Sequence, residues 1–92
     1  MIRSFRSKAL RRFAEEGDAS KLSVQKPDRM RRILARLDAA VAPADMNLPG
    51  WRFHPLTGDR KGEYAVWVSE NWRITFAWSD GDAIDVDLED YH

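Results

Sequence analysis

The chain has 92 residues, 43% of them hydrophobic, and its 15 Lys and Arg balance 15 Asp and Glu. That length holds one small domain, residues 1–92, with a core near the lower limit for independent folding. The lack of cysteine excludes a disulfide frame and a thiolate metal site, no apolar run approaches the roughly 20 residues that span a bilayer, and no apolar stretch follows the basic N-terminus as in a secretory signal. A cytoplasmic protein with no membrane contact is expected. The zero net charge conceals a polarity. Residues 1–37 carry eleven Lys and Arg against four Asp and Glu, and residues 38–92 carry four against eleven. A basic half suits nucleic acid, a ribosome surface or an acidic partner, and equally suits the solvated faces of amphipathic helices.

Met1 to Phe5 is short and suits an edge strand. Lys8 to Glu16 predicts a helix, with Leu10, Phe13 and Ala14 on one face, Ser7 as N-cap and Gly17 as terminator. Asp18 to Lys26 is aperiodic and polar, a mobile loop. Pro27 opens a second helix, in which Met30, Ile33, Leu34 and Leu37 form an apolar stripe and Arg29, Arg31, Arg32 and Arg36 lie around it. Ala44 to Met46 adds a turn. Trp51 to Leu56 predicts the first strand of the main sheet, with Pro55 at an edge position, and Thr57 to Gly62 is a polar loop. Three more strands follow by period-2 alternation: Tyr64, Val66 and Val68; Trp72, Ile74, Phe76 and Trp78; and Ile84, Val86 and Leu88. Asp80-Gly81 suits a two-residue hairpin turn with φ > 0 at both positions. Glu70-Asn71 makes the other turn, with Asn71 tolerating the left-handed region. Two helices followed by four antiparallel strands predict an α+β domain with the helices on one face of the sheet and the other face partly open.

Few residues here can carry chemistry. The only histidines are His54 and His92, and an imidazole can take and give a proton near neutral pH. His92 ends the chain, where fraying is the ordinary behaviour. It follows a strand, however, and has Tyr91 beside it. His54 alternates with Phe53, so one of the two faces away from the core. Arg73 points opposite to the Trp72/Ile74/Phe76/Trp78 stripe; a guanidinium there suits a phosphate, and read without context it is an Arg packing its stem on the sheet. The acidic run Ser79 to Asp82 lacks the setting of a calcium loop. Two histidines and no cysteine disfavour zinc, and no glycine-rich phosphate loop is present. No cofactor or metal is expected.

Four segments together carry a resemblance: Met1 to Phe5; Leu48-Pro49-Gly50-Trp51-Arg52-Phe53-His54-Pro55-Leu56; Val68-Ser69-Glu70-Asn71-Trp72-Arg73-Ile74-Thr75-Phe76; and Asp85 through Asp90-Tyr91-His92. The chain resembles HigB toxins of the RelE/ParE superfamily of bacterial toxin–antitoxin systems, over nearly its whole length and least at residues 17–27. The resemblance implies a compact microbial-RNase-like (RelE-type) fold and a metal-independent endoribonuclease, an mRNA interferase acting in the ribosomal A site. It implies as partners the ribosome, its mRNA and a cognate HigA-like helix-turn-helix antitoxin, through which alone operator DNA is reached. By position it implies that His54, Arg73, Asp90, Tyr91 and His92 form the active site and that Asn71 holds or contacts RNA. One departure stands out. Many relatives read His-Pro-Leu-Lys-Gly with an active-site Lys, where this chain has Thr57; Arg60 and Lys61 in the same loop are the candidate replacement cations for RNA.

Two readings from other classes remain beside this one. A gyrase-poisoning toxin on the same fold is disfavoured by the terminal Asp90-Tyr91-His92. A non-catalytic antitoxin-binding module is favoured by Thr57. Fold analogy alone separates neither.

Overall fold

A computed structural model describes residues 1–22 and 27–90. Helix α1 spans Lys8–Glu16 and α2 spans Pro27–Ala39; strands β1 (His54–Pro55), β2 (Glu63–Ser69), β3 (Trp72–Ser79) and β4 (Asp82–Asp90) form one antiparallel sheet in the order β1-β2-β3-β4. Short 3₁₀ turns lie at Pro43–Met46 and Gly58–Arg60. The architecture is the expected α+β arrangement. No helix among the described residues is long and apolar enough to cross a membrane.

The helices form where the sequence pattern puts them because both ends are chemically specified. Ser7 Oγ accepts the Leu10 N–H at 3.1 Å, satisfying one of the first orphan donors of α1. Gly17, at φ 74°, ends the helix in the left-handed region and returns its N–H to Phe13 O. Leu10 and Phe13 are buried, while Ala14, expected on the same face, is exposed. In α2 the stripe Met30, Ile33, Leu34 and Leu37 is buried as predicted, each side chain contributing about 1.5–3 kcal/mol of transfer free energy. These residues pack with Met46, Val66, Val68, Ile74, Phe76, Ala83 and Val86 in one core. Beside it a file of rings runs across the sheet, Phe53 on Tyr64 and Tyr64 on Phe76 at 5.6 Å each, then Phe76 against Trp78 at 6.4 Å. Phe53 thus faces the core and His54 faces away from it.

The sheet departs from the expected pattern in three places. Only His54 and Pro55 of the predicted strand Trp51–Leu56 pair as a strand. Trp51 closes a turn onto Leu48 O and Arg52 takes φ 49°, so the chain reaches the sheet through a bend. On β4, Ala77 pairs with Ile84 but Thr75 with Asp87, so Asp85 and Val86 together oppose Phe76. Asp85 has φ 53°. This bulge reverses the phase of alternation: Ala83, not Ile84, joins Val86 and Leu88 in the core. A second bulge at Val68 lies between the pairs Trp67–Arg73 and Ser69–Trp72. It accommodates the Glu70-Asn71 turn, in which Asn71 does not take the expected left-handed conformation. Asp80 (φ 51°) and Gly81 (φ 82°) both do, as predicted for their hairpin.

The N-terminal segment pairs with the outer edge of β4 in parallel, Ile2 opposite Ala83 and Phe5 opposite Val86. Ser4 fits the β4 bulge, accepting the Asp85 N–H on Oγ at 2.9 Å and the Val86 N–H on its carbonyl at 3.1 Å. Of the predicted loop Asp18–Lys26, residues 18–22 are irregular as expected and the remainder lies outside the described residues. Replacing the fully buried Ile33 by Ala is expected to cost about 2–5 kcal/mol, read as a lowered urea midpoint.

Candidate active site

Cross-strand register decides which side chains share the face away from the helices. His54 pairs with Ala65, Ala65 with Thr75, and Thr75 with Asp87; the next row is Trp67, Arg73 and Glu89. Neighbours across an antiparallel ladder project to the same side. His54 and Arg73 therefore lie on one face, about 10 Å apart in strand spacing, that is, two inter-strand intervals.

This face is less open than the sequence suggests. Ala65 and Thr75 are fully buried although the helices pack on the other side. Arg60 reaches across this face. From the 3₁₀ turn its guanidinium donates to Glu63 Oε1 at 2.9 Å on β2 and to Glu89 Oε1 at 2.6 Å on β4, with a further contact to Glu89 Oε2. Glu89 also accepts the Thr75 hydroxyl at 2.6 Å and an Arg73 N–H at 3.3 Å. One carboxylate thus joins a loop and two strands. The donated bonds from Arg60, aided by Thr75 and the charge of Arg73, hold the Glu89 pKa down to about 2 against the opposing cost of burial. Arg60 likewise lowers the pKa of Glu63, and the two carboxylates raise that of Arg60.

The predicted residues fall into distinct positions. His54 is half-buried, and its Nδ1 lies 2.9 Å from Arg52 O. A carbonyl oxygen only accepts, so Nδ1 donates, and in the neutral imidazole Nε2 then presents the lone pair. Arg73 is 20% exposed and shares Glu89 with Arg60. Asp90 pairs with Trp72, a core-side residue, so alternation sets it on the face opposite Arg73. Asn71 is exposed in the β2–β3 turn. Tyr91 and His92 lie outside the described residues. Of the two candidate cations in the loop, Arg60 reaches the face in an ion cluster. Lys61 is exposed and lines a groove with Pro55, Leu56, Thr57 and Tyr64.

Glu89 is the residue that sequence reasoning passed over. Its alternation with Asp85 and Asp87 reads as a solvated acidic strand face. No cross-strand signal could have found it: a hairpin closed at Asp80-Gly81 in regular register sets Leu88 opposite Arg73, and only the β4 bulge brings Glu89 there. Among the described residues, no group of three or more His, Asp or Glu is arranged to hold a metal ion.

Two comparisons with known proteins bear on this site. A family model described as a RelE-like toxin of type II toxin–antitoxin system HigB matches residues 3–92. The chain is 40% identical to a Proteus vulgaris protein named Endoribonuclease HigB, over all of both chains. It is 34% identical to Toxin HigB-1 of Vibrio cholerae serotype O1, covering 97% of this chain and 96% of that protein.

The cluster gives a signed pH dependence. A carboxylate with a depressed pKa stabilises the fold fully above its ordinary value of 4.5, and that contribution fades as pH falls toward about 2. Glu89→Gln is expected to lose about 1–3 kcal/mol at pH 7, the scale of hydrogen bonds to a charged group. Urea unfolding of both proteins across pH 7 to 3 should show this gap narrowing below pH 4.5.

Proposed function

This chain belongs to the HigB-like family of RelE-like toxins of type II toxin–antitoxin systems, and on that premise we propose that it is an endoribonuclease cutting messenger RNA in the ribosomal A site. The whole of residues 1–92 acts as one toxin domain. Carrying the reading is one arrangement in a chain 40% identical to a named endoribonuclease: an imidazole with an available Nε2 lone pair and a guanidinium on the same sheet face.

RNA contains its own nucleophile, so the chemistry needs no metal. The 2′-hydroxyl loses its proton to a base, its oxygen bonds to the adjacent phosphorus, and the 5′-oxygen leaves with a proton from an acid. His54 is the better placed base, because Asp90 lies on the other face of the sheet by register. Arg73 steadies the charge on the phosphorane. His92 is assigned as the general acid and Tyr91 as a platform for a splayed base, both carried over from the family pattern. The products are a 2′,3′-cyclic phosphate, or the 3′-phosphate it hydrolyses to, and a 5′-hydroxyl.

Ribosome dependence follows from the charge balance of the face. Arg60 and Arg73 are matched by Glu63 and Glu89, so the site is a weak electrostatic trap for free RNA. Part of the basic N-terminal half is also consumed within the fold: Arg3 pairs with Asp80 and Asp82, and Arg6 with Glu63 and Asp85. Arg31, Arg32 and Arg36 on α2 are exposed, though Arg31 pairs with Asp28 and Arg36 donates to the Asp45 carbonyl; they are assigned to docking on ribosomal RNA, which sets the activity in the cytoplasm. An antitoxin partner comes with membership in a type II system; a HigA-like helix-turn-helix protein, through which the complex reaches operator DNA, is the partner proposed.

Mapping mRNA 5′ ends in a purified translation system tests the central claim. Wild-type protein is expected to cut inside codons only when ribosomes are present, and His92→Ala to cut about 10²–10⁴-fold more slowly. Absence of cutting by folded wild-type protein would overturn the reading and turn attention to gyrase or to antitoxin binding alone. Separately, replacing Arg31, Arg32 and Arg36 by Glu is expected to abolish co-sedimentation with ribosomes; undiminished co-sedimentation would return those residues to the role of a solvated helix face.

A further inference from the structure

Beside the cluster of Glu89 lies a second cationic feature that the proposed chemistry does not use. Trp67 projects to the same face as its cross-strand partner Arg73. Two guanidiniums lie over its ring, Arg29 at 4.9 Å and Arg52 at 4.8 Å from the centroid. Their situations differ. Arg29 is partly buried and donates to the backbone carbonyls of Gly50 at 2.7 Å and Trp67 at 3.4 Å, so it ties α2 to the bend before β1 and to the bulged end of β2. Arg52 is exposed, and its side chain makes no hydrogen bond or ion pair among the described residues beyond its stacking on Trp67.

Arg52 also adopts a backbone conformation, φ 49°, that a side-chain-bearing residue rarely takes. That conformation does two things at once. It sends the guanidinium onto Trp67, and it turns the Arg52 carbonyl toward His54 Nδ1. The residue that orients the imidazole thus also carries a flat cation beside it. A guanidinium held on an indole keeps its outer plane for a nucleobase and its edge N–H groups for a phosphate, the two contacts by which proteins hold unstacked RNA.

We infer that Arg52, seated on Trp67, is an RNA-binding subsite that takes a single nucleotide flanking the scissile phosphate, its base stacked on the guanidinium plane and its phosphate at the guanidinium edge. The inference rests on the endoribonuclease reading above and extends it to a residue outside the family pattern for the active site.

The test uses a message carrying a 2′-deoxynucleotide at the cut position, which removes the nucleophile and blocks cleavage. Affinity of the full-length protein is measured for ribosomes with and without that message in the A site. Arg52→Gly deletes the guanidinium and tolerates the positive φ. It is expected to lose about tenfold of the message-dependent gain in affinity, in the range of one base–aromatic or base–guanidinium stack, with binding to message-free ribosomes unchanged. Arg52→Lys, which keeps the charge and loses the plane, is expected to lose part of the gain, and it serves as the deciding variant if Arg52→Gly unfolds. Equal weakening on both kinds of ribosome would assign Arg52 to ribosomal RNA and overturn the subsite, as would no change on either. An all-ribose message run in parallel separates the two claims. If wild type fails to cut it, the endoribonuclease reading falls. If wild type cuts and the variants bind like wild type, only the subsite falls.

Discussion

The carboxylate of Glu89 organises the sheet face that carries His54 and Arg73. Two guanidiniums, Arg60 and Arg73, converge on it, and like charges at that separation require a shared anion between them. Arg60 reaches back from the loop to bond Glu63 on β2 and Glu89 on β4, spanning β3 between them. The Thr75 hydroxyl supplies the bond that completes Glu89. Such a network is costly to half-assemble, since each member left without its partner is a desolvated charge or dipole. Assembled, it fixes the direction of Arg73 and joins β2, β3, β4 and the loop into one surface.

The same network sets the electrostatics of this face. A phosphate arriving at Arg73 meets a guanidinium that already shares a carboxylate, so the face offers geometry more than long-range attraction. That suits a substrate delivered by another machine and poorly suits capture of RNA from solution. Thr57, where the resemblance implies a lysine, bears on this balance. Arg60 stands in the same loop and reaches the face, but its charge is matched by Glu63 and Glu89, so it is not equivalent to an uncommitted lysine.

Two bulges and one bend aim the chain at this surface. The β4 bulge at Asp85 lets Ala83 and Val86 both enter the core, and it opens N–H groups that Ser4 accepts. The N-terminal segment is thereby locked beside β4, where its cations face that strand's acids. The charge polarity between the two halves of the sequence is in part this internal pairing, each exposed pair contributing little by itself. At the other edge, the left-handed Arg52 bends the chain so that Phe53 enters the core and His54 faces outward within one pleat.

The local sequence alone determined the helices, the hairpin at Asp80-Gly81 and the outward direction of Arg73; that His54 rather than Phe53 faces outward was settled by the packing of Phe53 on Tyr64. Ser7, Gly17, Pro27 and the 3.6-residue stripe of α2 specify their elements through contacts within a few residues, and period-2 alternation orients a strand before its partners are known. Membership in the toxin family was legible too, because the Asn71-Trp72-Arg73 block and the terminal Asp90-Tyr91-His92 are contiguous in the chain. Only the tertiary structure decided the bulges, the shortening of the first strand, the placement of Asp90 across the sheet from Arg73, and the role of Glu89. A bulge arises from how two strands accommodate a third segment, here Met1 to Phe5, some eighty residues from Asp85 in sequence. The hub at Glu89 needs Arg60 from a loop and Arg73 and Thr75 from β3 brought to β4, and no spacing along a single strand distinguishes it from a glutamate facing water.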